Sequence, residues 1–216
     1  MINHILIFVE GQSDAMVLAQ LLSSRIELAD AKGIKLVMVP AGGKRNLFGK
    51  HIEKAAKILC NDQTAAIIFI PDLYPPNVGG DHRTRLELHS LLSHLLHEEV
   101  ARKNRGQAEM ICQRFMPHCF QYDLEVLLLA AEDQLFSYLE MKPDRCWNPT
   151  VEEQDHDQNP KKIVQGLFKK RGRTYRETKD SPAILKDVPV EVLAEKCPVS
   201  FAPFLSCLDN LIGAAG

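Results

Sequence analysis

The stretch ILIFVEGQSD, residues 5–14, decides the architecture. Its five apolar residues, Ile5 to Val9, are too few for a membrane span or a secretory leader and stop at a charged turn. They read as a strand buried on both faces. Immediately afterwards Val17, Leu18, Leu21 and Leu22 recur at helical spacing between Ser13 and about Leu28, with Ser13 or Asp14 placed as the cap. A buried strand followed at once by a helix is half of a βαβ unit, and repeated units of this kind build a parallel sheet.

The alternation continues outward. Leu36 to Val39 reads as a second strand, AGGKRN (residues 41–46) as a tight turn, and about 44–60 as a second helix. Ala65 to Ile70 is a third strand running into PDLYPP (71–76); a helix over roughly 83–104 and a strand near Cys112 to Met116 follow. Beyond Met141 come Pro143, Pro149 and the acidic run VEEQDHD, with four carboxylates in seven residues, which reads as a loop or linker. The expected division is therefore an α/β domain over 1–142 and a mostly helical C-terminal extension over 143–216, packed on it through a turn containing Trp147 and Pro149. Within the extension Pro160 begins one helix, and Phe201, Phe204, Leu205, Leu208 and Leu211 mark a closing one.

Composition fits an ordinary globular protein: 216 residues, 45% hydrophobic and 25% charged. A formal charge of −2 gives no global attraction to nucleic acid or membrane, so any such attraction must come from local patches. Six cysteines at 60, 112, 119, 146, 197 and 207 include no CxxC pair and read as reduced, packed thiols. With no leader and no apolar run of about 20 residues, the expected compartment is the cytoplasm. Nothing in the sequence sets the oligomeric state.

Ligands of open parallel sheets bind at the carboxyl ends of the strands. Two acids stand there: Glu10 after the first strand, with Gly11 permitting a sharp turn, and Asp72 after the third. Either each caps the next helix, or the two converge and repel unless a cation such as Mg²⁺ or Mn²⁺ lies between them. Asp123 and Glu125, in QYDLE before the apolar run Val126 to Ala130, either cap a helix or complete such a site.

VEG before a helix and a strand ending in a DxD-like turn together resemble the Toprim pattern of topoisomerases, primases and nucleases. The series VEGQSD, IPDLYPPN, RFMPHCFQYDLEVLLLA and AEKCPVSFAPFL is similar to a family of small stand-alone bacterial Toprim-like proteins of unknown function. The resemblance implies a Toprim-like, parallel-rich sheet flanked by helices. It also implies a metal-dependent nuclease acting on DNA or RNA, related to the overcoming-lysogenization-defect class, whose genes often accompany an ATPase in systems of phage defence. By position, Glu10 matches the Toprim glutamate, a metal ligand or general acid/base, and Asp72 the first aspartate of DxD. Tyr74 stands where the second aspartate belongs and offers no hard anionic oxygen at neutral pH. Asp123, Glu125 or Asp81 would have to supply the missing charge. On this basis Glu10, Asp72 and Glu125 form the expected catalytic set, and Glu10, Asp72, Asp123 and Glu125 the expected ligands of Mg²⁺ or Mn²⁺. The alternative is a non-catalytic module that binds or regulates an ATPase partner.

One stretch suits a phosphate backbone. PKKIVQGLFKKRGRTYRETK, residues 160–179, carries eight basic residues against the single Glu177, with Phe168 and Tyr175 interleaved. Lys169, Lys170, Arg171, Arg173 and Arg176 are the expected contacts, and a solvated helix end is the plainer reading. Lys44 and Arg45 follow Gly42 and Gly43 between a strand and a helix, where exposed amides favour an anion, although the P-loop spacing is absent. His89, His94 and His97 share one helix without a carboxylate or cysteine at zinc-ligand spacing, and His118 reads as packed or hydrogen-bonded.

Overall fold

The computed structural model describes residues 2–76, 78–144, 147, 150–153 and 159–213. Cys146, Pro149 and the later part of the acidic run lie outside the described residues. Strands β1 (His4–Val9), β2 (Lys35–Pro40), β3 (Ala65–Ile70) and β4 (Phe115–Pro117) form one sheet in the order β2-β1-β3-β4. All three pairings are parallel. Side chains alternate across it: Ile5, Ile7, Val9, Ile68 and Ile70 enter one core, while Phe8, Ile67 and Phe69 enter the other. Both faces are covered, so all six residues of β3 are buried, and alternation with polar residues disappears from its sequence.

The order in which strands are added reverses between β1 and β3. The first connection runs from β1 toward β2, whereas the connection after β3 runs the other way to β4. The two connections therefore part at the carboxyl ends of β1 and β3, which is where the crevice that holds a ligand falls in an open α/β sheet. Val9 pairs with Ile70, which brings Glu10 and the Pro71–Asp72 turn to the same edge.

The helices differ in detail from the sequence expectation. Over 13–28 the chain makes two helices, α1 (Gln12–Leu21) and α2 (Ser23–Ala31), because Leu22 leaves helical geometry at φ −97°, ψ 13°. Over 44–60 it makes α3 (Lys44–Phe48) and α4 (Lys50–Asn61), divided at Gly49. Helix α5 (Arg85–Asn104) starts at a capping box, in which Thr84 accepts from the Glu87 N–H and Glu87 accepts from the Thr84 N–H. Cys112 is a correction: it ends a short helix, α6 (Ala108–Cys112), and the strand begins only at Phe115. Arg114 explains the late start, since its guanidinium donates to the carbonyls of Leu59, Asp62 and Ala65 and moors this segment to the end of α4. Pro117 lacks an N–H and is tolerated because β4 is an edge strand.

The remaining helices are α7 (Val126–Ala130), α8 (Glu132–Tyr138), α9 (Pro160–Lys170), α10 (Glu177–Leu185), α11 (Val190–Lys196) and α12 (Phe201–Gly213). They enclose the α1 face of the sheet. Val164, Phe168, Leu185, Phe201, Phe204 and Leu208 join Ile5, Val17 and Leu18 in one continuous core. Each fully buried side chain of this size contributes about 2 kcal/mol. Glu152 belongs to the fixed structure too. It is 1% exposed and accepts from the Val199 N–H at 2.7 Å, the Ser200 N–H at 2.7 Å and the Ser200 hydroxyl at 2.5 Å, at the start of α12. Among the described residues no helix is long and apolar enough to cross a membrane.

Candidate active site: an acidic centre at the crevice

Glu10 leaves β1 into the crevice, and its cap role falls to a neighbour. The Gly11 N–H donates to Asp14 at 2.8 Å, making Asp14 the capping acid of α1. Glu10 instead accepts from the Asp72 N–H at 3.1 Å, a direct link between the ends of β1 and β3. Burial pushes the Glu10 carboxyl up to about 7, against the opposing pull of Lys44 and that N–H. Asp72 is pushed well above the carboxylate range by burial, then by the charges of Glu10, Asp14, Asp123 and Glu125.

Asp123 and Glu125 reach the same centre from the loop that precedes α7. They are 3% and 4% exposed. Asp123 accepts from the Lys161 N–H at 3.3 Å through one oxygen, while its Oδ1 is buried without a partner. Burial and the Glu125 charge raise Asp123 strongly. Glu125 is raised by burial, with Lys161 opposing; it accepts from the Tyr175 hydroxyl at 3.1 Å, and that hydroxyl lies 2.6 Å from Ser181 Oγ.

Four contributors were not singled out as site residues in the sequence. Asp14 is both cap and member of the acidic field. Glu177 and Lys161 form an ion pair at 2.6 Å, with the Lys161 ammonium also 3.8 Å from Glu125. Burial draws the Lys161 ammonium down, but Glu125 and Glu177 more than offset it and raise it overall. Tyr175, whose hydroxyl is raised by burial and by Glu125, completes the wall. The one visible signal was Glu177, the lone acid in a basic run two residues after a tyrosine.

Asp81 does not contribute; it is exposed and lines a separate hollow with His82, Arg83 and Glu87. Lys44, expected at a phosphate, is corrected by the geometry. It is 6% exposed, and its Nζ donates to the carbonyls of Asp72, Leu73 and Pro75, which commits all three ammonium hydrogens. Arg45, Lys169, Lys170 and Arg176 are exposed. Arg171 lies 3.8 Å from Glu140, and Arg173 donates to the Tyr138 carbonyl while covering the rings of Tyr138 and Phe168 at 4.8 and 5.3 Å. The basic turn leads directly into Tyr175 and Glu177 and so into the acidic centre. His89 and His118 meet edge-on at 6.1 Å, both lowered to about 4 by burial and neighbouring positive charge.

The donors suit a hard divalent cation: all are carboxylate oxygens, and one of them is buried and unpartnered. Among the described residues, no three His, Cys, Asp or Glu side chains already gather at ligand spacing.

A family model described as a domain of unknown function, DUF4276, matches residues 9–209. Among solved structures, the C-terminal region of the Burkholderia pseudomallei OLD protein superposes with a TM-score of 0.54 at 16% identity, covering 98% of this chain and 99% of that one. The corresponding region of the Xanthomonas campestris pv. campestris OLD protein gives 0.50 at 18% identity, over 98% and 95% of the two chains. These likenesses establish a shared fold, a parallel sheet flanked by helices with a helical C-terminal region. No curated protein matches in sequence.

Proposed function

This chain belongs to the DUF4276 family, and from that premise we propose that it is a divalent-metal-dependent nuclease, hydrolysing phosphodiester bonds of DNA or RNA. The observation that carries the reading is the placing of Glu10, Asp72, Asp123 and Glu125 about the ends of β1 and β3, where burial raises all four and the charges of Glu10, Asp123 and Glu125 bear on Asp72. Buried carboxylates this close together are held by protons or by a counter-charge, and a cation among hard oxygens can supply that charge. Glu10, Asp72, Asp123 and Glu125 would hold Mg²⁺ or Mn²⁺, their side chains turning inward to do so. When bound, such an ion polarises the phosphate and acidifies a water. Glu10, with a proton affinity near neutrality, is suited to moving the proton. Lys169, Lys170 and Arg176, exposed on the basic stretch that leads into Tyr175 and Glu177, would meet the nucleic-acid backbone. The likeness of fold to the OLD proteins supports this assignment.

A second reading, a non-catalytic module that binds or regulates an ATPase partner, is favoured by one observation: Tyr74 stands where the Toprim pattern has its second aspartate, so a carboxylate is missing there. Incubation with supercoiled plasmid and with single-stranded RNA, in Mn²⁺ or Mg²⁺, separates the two. Wild type is expected to cleave, and Glu10→Gln to lose at least about 100-fold in rate, the scale of a general acid/base, with an unchanged circular dichroism spectrum. Cleavage that survives in Glu10→Gln would come from a contaminant. Absence of cleavage with either metal leaves the module reading.

A further inference from the structure

Lys44 is an unusual investment for an acidic centre. A lysine ammonium costs several kcal/mol to bury unless its hydrogens are fully paired, yet this one is 6% exposed at the first position of α3. Its pairing is complete, at 2.7 Å to the Asp72 carbonyl, 3.1 Å to that of Leu73 and 2.9 Å to that of Pro75. The opposite edge of the same turn is held through its amides: the Leu73 N–H donates to the Phe120 carbonyl at 3.2 Å and the Tyr74 N–H to the Tyr122 carbonyl at 2.9 Å. Carbonyls on one edge and amides on the other leave the Asp72 turn no freedom to drift from Glu10, which accepts from the Asp72 N–H.

We propose that Lys44 is the positioning residue of the centre, clamping the 72–75 turn so that Asp72 stays beside Glu10 in a geometry that receives a divalent cation. This rests on the metal-dependent reading. The contrasting role is a bare counter-charge for Glu10 and Asp72, and the two roles predict opposite signs. Removal of a bare positive charge tightens cation binding, whereas removal of a clamp weakens it.

The test combines amide hydrogen exchange on the metal-free protein with calorimetric Mn²⁺ titration of wild type, Lys44→Met and Lys44→Gln. In Lys44→Met, exchange at Leu73 and Tyr74 is expected to rise at least tenfold while Leu92 in α5 is unchanged, and Mn²⁺ to bind at least tenfold more weakly. Lys44→Gln retains two of the three donor hydrogens on a shorter, neutral side chain, is expected to fall between, and decides the matter where the methionine variant unfolds. Unchanged exchange at Leu73 and Tyr74 overturns the clamp. Unchanged or tighter Mn²⁺ binding overturns the positioning role. A wild type that takes up no Mn²⁺ sinks the nuclease reading and the metal half of this proposal with it, while the exchange data still decide the clamp.

Discussion

Glu10 carries its carboxylate at an energetic cost, and the cost has a sign. Its folded proton affinity is about 7 against an ordinary 4.5, so between those values the folded state binds more protons than the unfolded one. Stability is therefore fully present below pH 4.5 and declines as pH rises through 7, by up to ~3 kcal/mol for this group. Urea unfolding of metal-free protein should show wild type losing stability between pH 5 and 8, and Glu10→Gln losing less; parallel curves would remove Glu10 as the cause. Mn²⁺ should restore the loss at pH 8, because the cation takes over the role of the proton. The position of Glu10 and Asp72 at one sheet edge was legible in the sequence because each follows a strand with a clear apolar run. Lys161, Tyr175 and Glu177 were not, because they arrive from α9 and the start of α10, about a hundred residues or more along the chain, and no periodicity records which face of a distant helix meets a strand end. Lys44 was misread for a related reason. A lysine after two glycines has the same sequence appearance whether its ammonium meets a phosphate or three carbonyls.

Buried polar ties join elements here in addition to the apolar packing. Glu152 anchors the segment before α9 to the start of α12 through three hydrogen bonds, one oxygen serving two of them. Glu152→Ala leaves two amides and a hydroxyl unpaired in the interior, and should cost about 3–5 kcal/mol in chemical denaturation. Glu152→Gln keeps one acceptor oxygen and should cost less. A cost below 1 kcal/mol for the alanine variant would mean that water replaces the carboxylate. In the loop before α5, Gly79 has φ +86°, and a Cβ there would come within 2.5 Å of the Phe48 ring. Gly79→Ala therefore combines backbone strain with a clash, and should lower stability by about 1–3 kcal/mol. At this scale the strands were readable because buried runs bounded by turns leave little ambiguity. The helix breaks at Leu22 and Gly49 were not, since both sit inside unbroken helical periodicity. The edge strand at Phe115 was blurred because three residues are too few to show a period and the preceding helix ends in apolar Ile111 and Cys112.

Across the whole molecule, near-neutral net charge conceals two local clusters: acids about the ends of β1 and β3, and basic side chains on the stretch from the end of α9 to Arg176. Exposed Lys169 and Lys170 end α9, where cations also complement the helix dipole, so their presence alone does not demonstrate a nucleic-acid track. Salt dependence distinguishes the two roles. Each phosphate contact releases condensed counterions and contributes about 0.9 to the slope of log binding constant against log salt on duplex DNA, or about 0.7 on a single strand. If both lysines meet phosphates, the double variant Lys169→Ala, Lys170→Ala should bind a labelled oligonucleotide more weakly by fluorescence anisotropy and flatten that slope by one to two. Its unfolding midpoint should hold within the small range expected of surface changes, since neither side chain is buried. A slope unchanged by the double variant would return both lysines to the solvated helix end, and would move the search for the track to Arg45 on the other side of the crevice.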